Sequence, residues 1–98
     1  LIKPILVGGQ ALYYKHIFEN IKYPYDARSQ GIQGTVYVSF TITKEGKLKD
    51  TMLEMSIGGG CDEEALRVIS SFVGEFIPGK IEGENVDVRV VSPIQFKF

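Results

Sequence analysis

Between Gly34 and Lys44 the chain alternates. Val36, Val38, Phe40 and Ile42 fall on one parity, and Thr35, Tyr37, Ser39, Thr41 and Thr43 on the other. A period of two, rich in β-branched residues, predicts a half-buried strand. Lys44–Lys47 places Gly46 where a positive φ is expected, so the chain turns back. Leu48–Ile57 reads as the return strand, but its alternation slips: Leu48 has the opposite parity to Leu53, Met55 and Ile57. A β-bulge between Asp50 and Met52 would reconcile the two halves. The last strand runs from Val86 to Phe98, with Val86, Val88, Val90, Ile94, Phe96 and Phe98 on one parity and Ser92 among them.

Other segments carry a helical period. From Gln10 to Ile21, residues Leu12, Tyr13, Ile17, Phe18 and Ile21 recur at helical spacing. Tyr23-Pro24 ends this helix, because the residue before a proline is pushed out of the α region. Pro24 then suits the first turn of a second short helix reaching Gln30, with Gly31 as its C-terminal cap. After Gly58-Gly59-Gly60, the acids Asp62, Glu63 and Glu64 complement the positive end of a third helix. Its buried face is Ala65, Leu66, Val68, Ile69, Phe72 and Val73, and Gly74 stops it. Residues 1–9 form an extended lead-in, broken by Pro4 and Gly8-Gly9. Phe76 to Lys80 reads as a tight turn, with Phe76 packed in the core, and Glu82–Asn85 as an exposed loop.

The element order is therefore α-α-β-β-α-β, an α+β fold in a single domain spanning 1–98. A hairpin followed by a helical crossover predicts a three-stranded antiparallel sheet of spatial order 2-1-3, with the helices on one face. The third strand is then an edge. Pro93, which has no ladder donor, belongs at such a free edge. A long edge is an aggregation liability unless a partner pairs with it or charges blunt it. Here Asp87, Arg89 and Lys97 could do the blunting, and periodicity does not choose between the two readings.

Composition narrows the function by exclusion. Eleven Lys and Arg against twelve Asp and Glu, scattered along the chain, leave a net charge of −1. That is no footprint for nucleic acid. No apolar run approaches the roughly 20 residues of a membrane helix, and no signal peptide is legible. A start at Leu1 rather than Met suggests a mature or excised piece. Cys61 is the only cysteine and His16 the only histidine, so no metal set or internal disulfide can be assembled. A nucleophilic Cys61 would need a base, and nothing in the sequence places His16 beside it. A packed or capping cysteine is the simpler reading, with Cys61→Ser tolerated within about 1 kcal/mol. His16 reads as a helix-surface residue. The triple glycine lacks the Lys and Ser/Thr of a phosphate loop and is followed by acids. Glu63 and Glu64 are adjacent and do not face each other, while Glu63 and Arg67 form a favourable i,i+4 pair. The chain reads as a non-enzyme without cofactor or metal. Five tyrosines, Tyr13, Tyr14, Tyr23, Tyr25 and Tyr37, suit core-rim packing, with a partner surface around Tyr23 and Tyr25 left open.

Taken in order, Tyr23-Pro24-x-x-Ala27-Arg28, Gly31-Ile32-Gln33-Gly34-Thr35-Val36, Phe40, Gly46, Cys61-Asp62-Glu63-Glu64-Ala65-Leu66-Arg67-Val68, Pro78-Gly79-Lys80 and Pro93-Ile94-Gln95-Phe96 resemble the TonB family C-terminal domain. Gly8–Leu12 is similar to the opening of that family's first helix. Phe76 stands where members commonly have tryptophan. The resemblance implies a periplasmic domain of an inner-membrane-anchored energy transducer. Such a domain pairs its last strand with the TonB box, an N-terminal peptide of outer-membrane transporters. Carried onto this chain, the implied peptide contacts are Asp87, Arg89, Val91 and Pro93, flanked by Asn20, Lys22, Tyr23 and Pro24. Motor proteins of the inner membrane would be reached only through upstream segments, including the tether, that lie outside this sequence. A homodimer is left open. The alternative is a periplasmic interaction or scaffold domain of a differently anchored protein with no transporter partner.

Overall fold

The computed structural model describes all 98 residues. The alternating segment forms β2 (Gly34–Ile42), which pairs antiparallel on one side with β3 (Leu48–Met55) and on the other with β7 (Val88–Phe96). The order β3-β2-β7 is the expected second-first-third arrangement. Val36, Val38, Phe40 and Ile42 bury one face of this sheet against the helices α1 (Ala11–Asn20), α2 (Tyr25–Ser29) and α3 (Cys61–Ser70). These helices contribute Tyr13, Ala27, Ala65, Val68 and Ile69 to the core. The other face is open and carries Thr35, Tyr37 and Thr41 on β2 and Arg89, Val91, Pro93 and Gln95 on β7, the opposite parity to the core residues.

The two outer strands differ. Along β3 the register slips twice, between Tyr37 and Val38 and between Ser39 and Thr41. The second slip is the anticipated bulge: Asp50 adopts a positive φ of 56° there. Along β7 the register with β2 is unbroken for nine residues, from Ile42↔Val88 to Gly34↔Phe96.

Long-range pairing rearranged several local expectations. The last strand is not continuous. Asp87 interrupts it, leaving β6 (Glu84–Val86) apart from β7. The expected loop Glu82–Asn85 is a tight hairpin instead, pairing β5 (Gly79–Ile81) with β6. Glu82 and Gly83 both take the positive φ of such a turn. The lead-in is extended, but part of it forms β1 (Ile5–Leu6), which pairs with β4 (Phe76–Ile77), while Ile2 bridges to Lys80. Phe76 is consequently half-buried beneath Phe72, at 6.4 Å between ring centroids, and not fully enclosed. The third helix ends at Ser70, earlier than its apolar pattern suggests, and leaves Val73 in solvent.

Candidate functional site

Local chemistry at the third helix is structural. Cys61 opens α3 with no exposed surface. Burial, followed by the charges of Asp62 and Glu63, raises its thiol pKa above the ordinary value, the reverse of what a nucleophile needs. The Asp62 carboxylate accepts from Ser56 Oγ and from the N–H of Ile57 at 2.9 Å, closing the turn that enters the helix. His16 is far from Cys61. Its Nε2 bonds the carbonyl of Val68 at 2.9 Å and Ser71 Oγ at 3.0 Å, at the opposite end of a helix rising about 1.5 Å per residue. It is thus a half-buried bridge between α1 and α3 and not the surface residue its position suggested. Because Cys61 is fully enclosed, Cys61→Ser is expected to cost about 1–3 kcal/mol, more than its sequence context implied. A thiol reagent should label the urea-unfolded chain and spare the folded one. Labelling of native protein at the unfolded rate would show an open thiol.

Arg67 pairs with Glu64, three residues back, at 2.7 Å, and not with the expected Glu63. The reason is tertiary. Glu64 Oε2 accepts the N–H of Lys22 at 2.6 Å, and Arg67 Nη2 donates to the carbonyl of Asn20 at 2.8 Å. The pair clamps the link between α1 and α2. The Arg67 hydrogen bonds hold the Glu64 pKa below its ordinary value against the opposing effect of burial, and the Lys22 N–H adds to the lowering. A carboxyl with a depressed folded pKa stabilises the fold above its unfolded pKa and loses that contribution as pH falls through the folded value. Glu64→Gln is therefore expected to cost about 1 kcal/mol at neutral pH, modest because Arg67 is solvent-screened. Denaturation of the two proteins should converge in acid, below the carboxylate range. A deficit that persists there would assign the loss to packing.

The residues singled out from the sequence divide into two places. Asn20, Lys22, Tyr23 and Pro24 lie in the clamped link. Asn20 Nδ2 donates to the carbonyl of His16 at 2.8 Å. The Tyr23 hydroxyl donates to the carbonyl of Ile32, and its ring stacks on Phe98 with centroids 4.9 Å apart. Pro24 precedes α2 and faces Gly60. Asp87 occupies the break between β6 and β7, where its carboxylate accepts the N–H of Lys44 at 2.7 Å. Arg89, Val91 and Pro93 lie along β7. The Arg89 guanidinium donates to Thr41 Oγ1 and Ser39 Oγ on the open face, at 2.8 and 2.9 Å.

Only the β7 residues line a cavity. A groove of about 440 Å³ runs beside the outer edge of β7 from Val88 to Pro93, walled by Pro4, Leu6, Tyr13 and Tyr14. It is continued by a second, of about 340 Å³, between Pro93–Gln95 and Tyr14, Ile17 and Phe18 of α1, with Ile21 just past the helix end. The Tyr13 hydroxyl meets Ser92 Oγ at 2.7 Å and fastens α1 alongside the strand. Sequence reasoning found the strand and missed this helical wall. Two apolar stripes along α1 and its C-cap, Tyr13-Ile17-Ile21 and Tyr14-Phe18, were its only sign.

Backbone polarity on β7 follows from the register. Thr43 N–H donates to the carbonyl of Lys47 at 2.8 Å, so the odd positions of β2 bond toward β3. The even positions therefore bond toward β7, and their partners Val88, Val90 and Ser92 face inward. Arg89 and Val91 direct N–H and C=O outward, and Pro93, which has no N–H, shares their side at no cost.

Fold and site together define a small α+β domain that keeps one long, regular sheet edge open beside an apolar groove. Residues 19–98 match the family model described as the C-terminal region of Gram-negative bacterial TonB protein, and the chain belongs to that family. Protein TonB of Vibrio cholerae serotype O1 is 33% identical over 97 residues, covering 98% of this chain and 38% of that protein. The chain thus spans well under half the length of that relative. The solution NMR structure of the Helicobacter pylori TonB C-terminal domain superposes with a TM-score of 0.64 at 28% identity, covering 87% of this chain and 76% of that one. The Pseudomonas aeruginosa TonB C-terminal domain gives 0.56 at 28% identity, covering 80% and 78%.

Proposed function

We propose that this domain is the periplasmic, peptide-gripping end of a TonB-like energy transducer. It takes the TonB box of an outer-membrane transporter as an added strand on the outer edge of β7, with the rest of the transducer tethering it to the inner membrane. The observation carrying this reading is the contrast between the two sheet edges. The β3 edge is blunted by two register slips, the common protection against unwanted pairing. The β7 edge is regular for nine residues and holds outward backbone groups at Arg89 and Val91. Main-chain pairing at such an edge supplies affinity, and adjoining pockets supply selectivity.

Titration of the isotope-labelled domain with a synthetic TonB-box peptide tests it by NMR. The amides of Arg89 and Val91 should shift most and gain protection from solvent exchange. Shifts confined to β3, to the open face or to the Asn20–Pro24 link would place the partner elsewhere, and absence of saturable binding would favour a scaffold role.

A further inference from the structure

The wall opposite β7 suggests what the site selects. A short helix of a small domain normally turns its aromatic residues inward, yet Phe18 is 85% exposed and Tyr14 57% exposed. Both belong to the groove beside the free strand edge, and Tyr14 lines both of its halves. The helix runs along the strand. Gln10 and Tyr13 stand with Val88–Pro93, while Ile17, Phe18 and Ile21 stand with Pro93–Gln95.

We infer that Tyr14 and Phe18 are specificity-determining residues, which read alternate side chains of a strand docked on β7 and favour one with two apolar residues at positions i and i+2. This rests on the strand-addition reading above. The spacings are commensurate. Residues four apart on a helix are separated by about 6 Å along its axis, and residues two apart on a strand by about 6.6 Å. A strand added at the edge sits about 4.8 Å from β7 and points every second side chain to the helix side. There each such side chain meets one of the two rings. Charge narrows the occupant further. Lys3 lines the groove and no acidic side chain does, while the Arg89 guanidinium turns to the open face. A neutral or acidic strand fits, whereas a basic one is repelled.

Three dye-labelled synthetic peptides of about nine residues, long enough to match the strand, provide the test by fluorescence anisotropy. One carries Val or Leu at alternate positions with Thr between and a terminal Glu. The second replaces the apolar residues with Ser, and the third replaces Glu with Lys. The first should bind best. Phe18→Ser and Tyr14→Ser should each weaken it by roughly 5- to 20-fold, the size of a contact near the centre of an interface. Each should also shrink its advantage over the Ser peptide. Both positions are exposed, so the melting temperature should stay unchanged. Wild-type affinity with undiminished preference in both variants overturns the inference, and a tighter Lys peptide overturns its charge component. Val91→Pro separates the two readings. If it abolishes binding while the ring variants do not, strand addition stands and the selective wall fails. If it leaves binding intact, strand addition itself fails and the inference falls with it.

Discussion

Val90→Pro should unfold this domain, whereas Val91→Pro should leave it folded and unable to take a peptide strand. The two positions are neighbours on β7, opposite Phe40 and Ser39 of β2. The alternation that sends Thr43 toward Lys47 makes Val90 a donor into the sheet and Val91 a donor to solvent. Proline at Val90 removes a ladder hydrogen bond and sets its ring against the strand, at about 3 kcal/mol or more. It also takes away a side chain that packs against the core. A domain of this size has only about 5–15 kcal/mol of stability, and β7 closes one side of its sheet. Proline at Val91 repeats what Pro93 already does two residues on, so the folded state should tolerate it. Circular dichroism melts of both variants, with peptide titration of the folded one, decide the matter. Two unfolded proteins would mean that β7 is not an edge. A Val91→Pro protein with wild-type affinity would move the peptide off this strand.

Gly46→Ala should be the most damaging glycine substitution in the turns, at about 3 kcal/mol, a melting temperature lower by roughly 12–24 °C. Gly46 has φ +82°, and an added Cβ would lie 2.2 Å from the carbonyl oxygen of Phe76. The contact is backbone on backbone. Phe76 N–H donates to the Gly46 carbonyl at 3.0 Å, docking β4 on the β2–β3 turn. About 1 kcal/mol comes from the left-handed conformation and the remainder from forcing two main chains apart. Gly83 has the same φ, and an added Cβ there would meet nothing within 4 Å. Gly83→Ala should therefore cost only about 1 kcal/mol. Equal losses in the two variants would show that close approach contributes nothing at Gly46.

What could be read from the sequence was whatever depends on near neighbours. Strand alternation from Val36 to Ile42, the parity conflict resolved by the bulge at Asp50, the turn glycine at Gly46 and the proline confined to an edge are all consequences of local backbone geometry. From these, α-α-β-β-α-β connectivity and the order of the three long strands follow. The helical wall was not legible. Along α1 and its C-cap, Tyr13-Ile17-Ile21 and Tyr14-Phe18 are adjacent stripes with equal claim to the core, and spacing gives no preference. The choice is made by a hydroxyl contact between Tyr13 and Ser92, 79 residues apart. The same holds for Arg67, whose partner is decided by Lys22 and Asn20 approaching from another element, and for Asp87, drawn out of the strand by the N–H of Lys44. By itself the sequence determined the three long strands, the three helices and that β7 would be an edge, because periodicity and proline chemistry act locally; the short paired strands β1, β4, β5 and β6 were not among them. The groove beside that edge, and the rings exposed in it, were decided only by the tertiary structure, because which face of an ambiguous helix is buried depends on contacts that close over most of the chain's length.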